Sequence, residues 1–199
     1  PRKLSLHLRR YCLLLHFRCS IAMTELPWIE IARGYIGIRE DKSAKTNPVI
    51  EKWLHKMPSF KGASRAWWND DETPWCGLFA GYCLGVTGRH VVKEWYRAKS
   101  WESAKEMTKL SDPAYGCIVT FTRDGGGHVG FVVGNNQSGK LMVLGGNQGD
   151  AVSIAPFELS RVTGYYWPSF ADGRKSIPSS FRYDLPLINS TAKVSTNEA

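Results

Sequence analysis

The feature that most constrains this chain is a change of period near Pro113. Before it, apolar residues recur at helical spacing in three places. In "TELPWIEIARGYI", after Thr24, they fall at 28, 29, 31, 32, 35 and 36. After Asn47–Pro48, a cap followed by a first-turn proline, they are Val49, Ile50, Trp53 and Leu54. After Thr73 they are Leu78, Phe79, Tyr82, Cys83 and Val86. A fourth helical segment is expected near Ser100 to Leu110. Beyond Pro113 come short β-type runs, "GCIVTF", "HVGFVVG", "KLMVLGG", "AVSIAPF" and "RVTGYYWP", punctuated by glycine, Asn and Asp. "GNNQSGK" reads as a hairpin turn between the second and third. Helices first and strands afterwards predict an α+β domain, with N-terminal helices packed on an antiparallel β-sheet. The 199-residue length suits one such domain, spanning 24–168. Residues 169–199 are polar and aperiodic and read as a poorly ordered tail.

The third helix carries the most unusual local pattern, "TPWCGLFAGYCLG". Thr73 reads as the N-cap and Pro74 as the first helical residue, which puts Cys76 in the first turn. The free N–H groups and positive dipole end found there favour a thiolate over a thiol. Cys83 belongs to the apolar stripe and reads as core. Gly77, Gly81 and Gly85 recur every four residues, a ridge that costs helix stability but lets another element approach closely.

Five cysteines, at 12, 19, 76, 83 and 117, form no CxxC pair, which argues against a disulfide framework or a zinc knuckle. On one helix Cys76 and Cys83 stand roughly 10 Å apart, beyond the ~7 Å Cα limit of a disulfide. The formal charge of +8 is mostly N-terminal. Residues 1–22 hold Arg2, Lys3, Arg9, Arg10 and Arg18 and no acid, leaving +3 for the rest. The domain itself therefore carries no basic signature for nucleic acid. Residues 1–22 read as an extension, weakly signal-like or upstream of a natural start at Met23. Their apolar run "YCLLLHF" falls far short of the roughly 20 residues a membrane span needs.

A cysteine nucleophile needs a base and a group to orient that base. His7 and His16 lie in the extension, while His55 and His90 read as surface residues. His128 opens a strand beside "RDGGG", a rigid mount for a side chain that faces a cleft. The orienting group would come from the following strand and its turn, "LMVLGGNQGD": Asn147 directly follows the apolar run, and Gln148 and Asp150 are alternatives. Trp67, Trp68 and Trp75 are candidates to line a substrate groove. The acids of "NDDETPW" (Asp70, Asp71, Glu72) do not form a recognised calcium loop and read as solvated or substrate-facing. "GGG" at 125–127 is no phosphate loop, and HExxH and GxSxG are absent.

The order of these pieces resembles the papain-like cell-wall hydrolases of the CHAP (cysteine, histidine-dependent amidohydrolase/peptidase) and NlpC types, and in "TPWC" and "GGNQ" a phage-associated branch of them. The likeness covers roughly residues 24–168. It implies a papain-like fold with Cys76 as nucleophile, His128 as base and Asn147 as third member. Contacts to substrate are expected from Trp75, Trp68 and Gln148, and no metal or cofactor is expected. Many relatives have Gly-Asp where this chain has Gly116–Cys117, a position outside the catalytic three, so Cys117 reads as structural. The implied partner is peptidoglycan, met as a monomer at the bacterial cell wall or periplasm during phage or prophage lysis, or as a toxin. The readings left open are a non-catalytic wall-binding module on the same fold and a cysteine protease or amidase with a non-wall substrate.

Overall fold

In a computed structural model of the protein, residues 24–43, 46–57, 67–123 and 125–189 are described. The extension 1–22 lies outside them. Among the described residues three helices precede the sheet: α1 (Pro27–Gly34), α2 (Pro48–Lys56) and α3 (Cys76–Gly85). The Asn47 side chain accepts from Val49 N–H at 2.8 Å and caps α2, with Pro48 at its first position. Six strands follow: β1 (Thr108–Leu110), β2 (Ile118–Arg123), β3 (Gly126–Asn135), β4 (Leu141–Gly145), β5 (Ser153–Phe157) and β6 (Val162–Trp167).

The sheet is antiparallel in the order β1-β6-β2-β3-β4-β5. β2 to β5 form a meander, and β6 returns across it to pair with β2. The expected turn at 136–140 closes the β3–β4 hairpin: Asn136 N–H donates to Lys140 O, and Gly139 sits at φ 77°. This is the α+β, papain-like arrangement expected from the sequence. Among the described residues no helix is long and apolar enough to cross a membrane.

α3 is apolar on every side because it runs through the middle of the core, packed on α1, α2, β3 and β4. Trp53 of α2 packs against Trp75, Phe79 and Tyr82 around it. The glycine ridge has a partner. The segment 91–96 lies along it, so a Cβ on Gly77 would run into the Trp95 carbonyl, and one on Gly81 or Gly85 would meet Val91.

Three expectations are corrected. No helix forms over Ser100 to Leu110. A single 3-10 turn, Ala98–Trp101, is followed by β1, whose pairing with Tyr165–Trp167 overrides the local helical pattern. α3 starts at Cys76, with Trp75 as N-cap, so Thr73 and Pro74 precede the helix. Finally, residues 169–189 are held against the domain, whatever their composition suggests. Ser169 O accepts from His90 N–H, and the Arg89 guanidinium stacks on Trp28 and Phe170 while donating to Pro168 O. Farther on, Tyr115 N–H donates to Arg182 O, and residues 186–188 exchange backbone hydrogen bonds with Asn135 at the end of β3. Residues 190–199 lie outside the described residues.

Candidate active site

Cys76 is the first residue of α3. The first intrahelical bond runs from Phe79 N–H to Trp75 O, so the N–H groups of residues 76–78 point out of the helix end without helical partners. The sulfur stands beside the end of the helix that favours negative charge, and no acidic side chain occupies the first turn to oppose it. Cys76 is only 4% exposed. The other described thiols are core groups: burial pushes Cys83 well above the ordinary thiol value and Cys117 up to about 12. Cys117 is fully buried on the approach to β2, in keeping with a structural role.

His128 is the third residue of β3, opposite Phe121 of β2. The strand begins two residues earlier than the sequence suggested, over Gly126 and Gly127. These two residues pair with Arg123 and Thr122 of β2, and a Cβ on Gly127 would come within 3.1 Å of Phe121 O. α3 packs on β3. The Gly145–Gly146 pair at the end of β4 bridges the two elements. A Cβ on Gly145 would meet His128 Nε2 and Gln148 Oε1, and one on Gly146 would meet Trp75 and Phe79. These two glycines let the imidazole and the start of α3 close on the same short stretch of backbone.

The partner of His128 is Gln148: His128 Nε2 and Gln148 Oε1 are 3.1 Å apart. The Gln148 amide nitrogen donates to Ser153 O at 2.8 Å, to Ser153 Oγ at 3.1 Å and to Val143 O at 3.2 Å. With the NH2 group committed to those acceptors, Oε1 faces the ring and accepts from Nε2–H. This fixes the tautomer and leaves Nδ1 as the basic nitrogen. The imidazole lies parallel to the Phe157 ring, at 5.3 Å between centroids and 6° between planes.

Other expected site residues fall elsewhere. Asn147 is fully buried, its amide O and N have no hydrogen-bond partner, and its φ is 56°. Its backbone makes the turn that brings Gln148 back to His128, so the orienting contact belongs to Gln148 and not to Asn147. Asp150 pairs with Lys42 at 2.9 Å. Trp75 is fully buried, packs in the core at a tilt to Trp53, and donates Nε1–H to Glu40 Oε1 at 2.7 Å. Trp68 is also buried. Neither ring offers a face to substrate, and of the three tryptophans only Trp67 is half-buried. Gln148, placed among substrate contacts, is buried against the base instead.

The acids before Cys76 divide. Asp70 and Glu72 are exposed, but Asp71 is buried and accepts from Asp41 N–H at 2.9 Å and Asn47 N–H at 2.8 Å. It ties the 39–47 loop to the approach to α3. Glu40 was missed, because nothing in its neighbourhood, "IREDKS", marks it as a partner for an indole 35 residues away. Its carboxyl is raised above the ordinary value, first by desolvation and then by the nearby Asp150 and Asp71, against the lowering effect of the Trp75 hydrogen bond. Among the described residues, no group of three or more His, Cys, Asp or Glu side chains is placed to hold a metal ion. His55 faces Glu51 and His90 faces Glu106, each at 3.9 Å.

A thiol at a helix start, an imidazole on the neighbouring strand and an amide holding the far ring nitrogen define a papain-like thiol–imidazole domain. The CHAP domain family model matches residues 68–147 of the chain. That match ends one residue before Gln148. No curated protein and no solved structure matches the chain significantly.

Proposed function

We propose that the protein is a peptidoglycan hydrolase that cleaves an amide bond of the stem or cross-bridge peptide through a cysteine nucleophile. The CHAP family, whose model matches residues 68–147, is associated with amidase or peptidase action on peptidoglycan. The observation that carries the cysteine mechanism is the His128–Gln148 hydrogen bond beside a helix that begins on Cys76.

Cys76 Sγ gives its proton to His128 Nδ1 and attacks the amide carbonyl carbon. The C–O π electrons move onto oxygen, which accepts a hydrogen bond from the Cys76 backbone N–H at the start of α3. As the tetrahedral intermediate collapses, the C–N bond breaks and His128 Nδ1–H protonates the departing amine. Water, deprotonated by the same nitrogen, then releases the acid from the thioester and restores the thiol. Gln148 Oε1 accepts Nε2–H throughout and steadies the imidazolium. Phage or prophage lysis is the setting that "TPWC" and "GGNQ" suggest.

The test is digestion of purified peptidoglycan by the full chain and by Cys76→Ala, with mass spectrometry of the products. Release by the wild type and a loss of at least ~10³-fold in the variant is the expected result, and the new termini identify the bond. Equal release by both proteins refutes the nucleophile. Binding without release by either protein replaces the enzyme reading with a wall-binding module.

A further inference from the structure

Strand β5 lies wholly beyond the family match and holds none of the residues singled out from the sequence. Ser153 and Phe157 stand four residues apart on it, so both project from the same face of the sheet. Each reaches the neighbourhood of His128 by a different route. Ser153 takes two hydrogen bonds from the Gln148 amide nitrogen, one on its carbonyl and one on its hydroxyl, and so dictates which end of that amide meets the imidazole. Phe157 is fully buried, lies parallel to the imidazole and is backed by Phe121 at 4.5 Å. Opposite Ser153 in the β4–β5 ladder is Gly145, whose missing side chain leaves room for the Gln148–His128 bond.

We propose that β5 is the positioning strand of the site: Phe157 sets the plane of the His128 ring, and Ser153, through Gln148, sets which ring nitrogen carries the proton. This rests on the reading of His128 as the base. Both residues act through others and touch no substrate. A parallel stack restricts rotation about the imidazole's own torsion, which is otherwise broad. The amide lock supplies what packing alone cannot, a distinction between the two nitrogens. Together they hold Nε2 on Gln148 and leave Nδ1 as the nitrogen that the amide does not occupy.

The experiment uses the full chain with Ser153→Ala, Ser153→Thr and Phe157→Leu. Two readouts need no wall substrate. One is the rate at which iodoacetamide alkylates Cys76, resolved by mass spectrometry from the other cysteines. The other is the ring 15N spectrum of His128 in a Cys76→Ala background, which reports the tautomer directly. Thermal melting is recorded alongside. The expected wild-type spectrum shows the proton on Nε2. Ser153→Ala, which loses the hydroxyl but keeps both carbonyl acceptors of the Gln148 amide, moves the nitrogen shifts part of the way toward averaged values, while Ser153→Thr, which keeps the hydroxyl, restores them. Phe157→Leu and Ser153→Ala slow alkylation by about tenfold or more, a loss of the size that small misplacements cause. Should Phe157→Leu fail to fold, the Ser153 pair and the wild-type tautomer still decide. An Nδ1-protonated or mixed wild-type ring overturns the proposal, as do folded variants whose shifts and alkylation rates equal the wild type's. If these readouts behave as expected while peptidoglycan stays intact, the substrate reading falls and the positioning role stands.

Discussion

Replacing Gly77 by alanine sets two physical effects against each other, and the structure decides the sign. Gly77 is the second residue of α3, and on helix propensity alone Gly→Ala stabilises by about 1 kcal/mol. The added Cβ, however, would overlap the backbone oxygen of Trp95, with Tyr96 C at 3.2 Å and Trp95 C at 3.3 Å behind it. Those atoms belong to a backbone and cannot rotate aside. Overpacking of this kind costs about 1–3 kcal/mol. Moving the carbonyl also strains its hydrogen bond from Trp101 Nε1–H, 3.0 Å long and buried, which contributes about 1 kcal/mol. The net expectation is a loss of about 2 kcal/mol, or about 4–8 °C in Tm for a chain of this size. Gly85→Ala on the same helix is the control, because its new Cβ would meet only a methyl of Val91 at 3.2 Å. That variant should be at least as stable as the wild type, gaining up to about 1 kcal/mol of helix propensity less whatever the Val91 methyl costs in shifting aside. Urea denaturation of the three proteins measures both differences. A Gly77→Ala protein as stable as the wild type would show that the segment 91–96 yields, and that the ridge does not exist to seat it.

At Asn147 the left-handed backbone, and not the amide, sets the requirement. Asn147→Gly should therefore be more stable than Asn147→Ala by about 1 kcal/mol in urea denaturation, and the reverse order would mean that the left-handed backbone does not set the requirement. Glu40 gives a pH prediction. Its folded pKa lies above the ordinary 4.5, so the folded state binds the proton more tightly than the unfolded one. Stability is then lost as pH rises from that ordinary value through the raised folded one. Glu40→Gln keeps an oxygen for Trp75 Nε1–H and removes the desolvated charge beside Asp71 and Asp150. The variant should be at least as stable as the wild type at pH 7, with the gap closing below pH 4.5. Thermal melts across pH 3.5–7.5 measure it, and a variant less stable than the wild type at neutral pH contradicts the assignment.

What could be read from the chain followed from local chemistry. The strands were legible because glycine, Asn and Asp punctuate them, and α2 was legible because Asn47–Pro48 is a cap and a first turn in two residues. Cys76 and His128 stood out for the same reason: a thiol at a helix start and an imidazole beside a glycine run are local patterns. The segment after Ser100 was not legible, since its apolar residues fit a helix as well as the edge strand that the partner Tyr165–Trp167 selects. Nor was the ordering of 169–189, which depends on Arg89 finding Trp28, Phe170 and Pro168 at once. Tryptophans 68 and 75 misled because an aromatic beside a nucleophile has the same one-dimensional signature whether it faces a groove or the core.

The sharpest limit is the choice between Asn147 and Gln148. Both are amides, adjacent, in the turn after the same strand, and either could orient an imidazole on chemical grounds. Successive side chains of a turn point in different directions, and the sign of one φ decides which of them returns toward β3. Asn147 takes the left-handed value, which Asn tolerates better than most residues. The longer Gln148 side chain then spans from Ser153 to His128. Read with that geometry in mind, "GGNQGD" divides the labour by residue type. The glycines give room, the Asn makes the turn, and the Gln makes the contact. A Gln at 147 or an Asn at 148 would disturb both tasks, so the order of the two amides carries information that their shared chemistry hides.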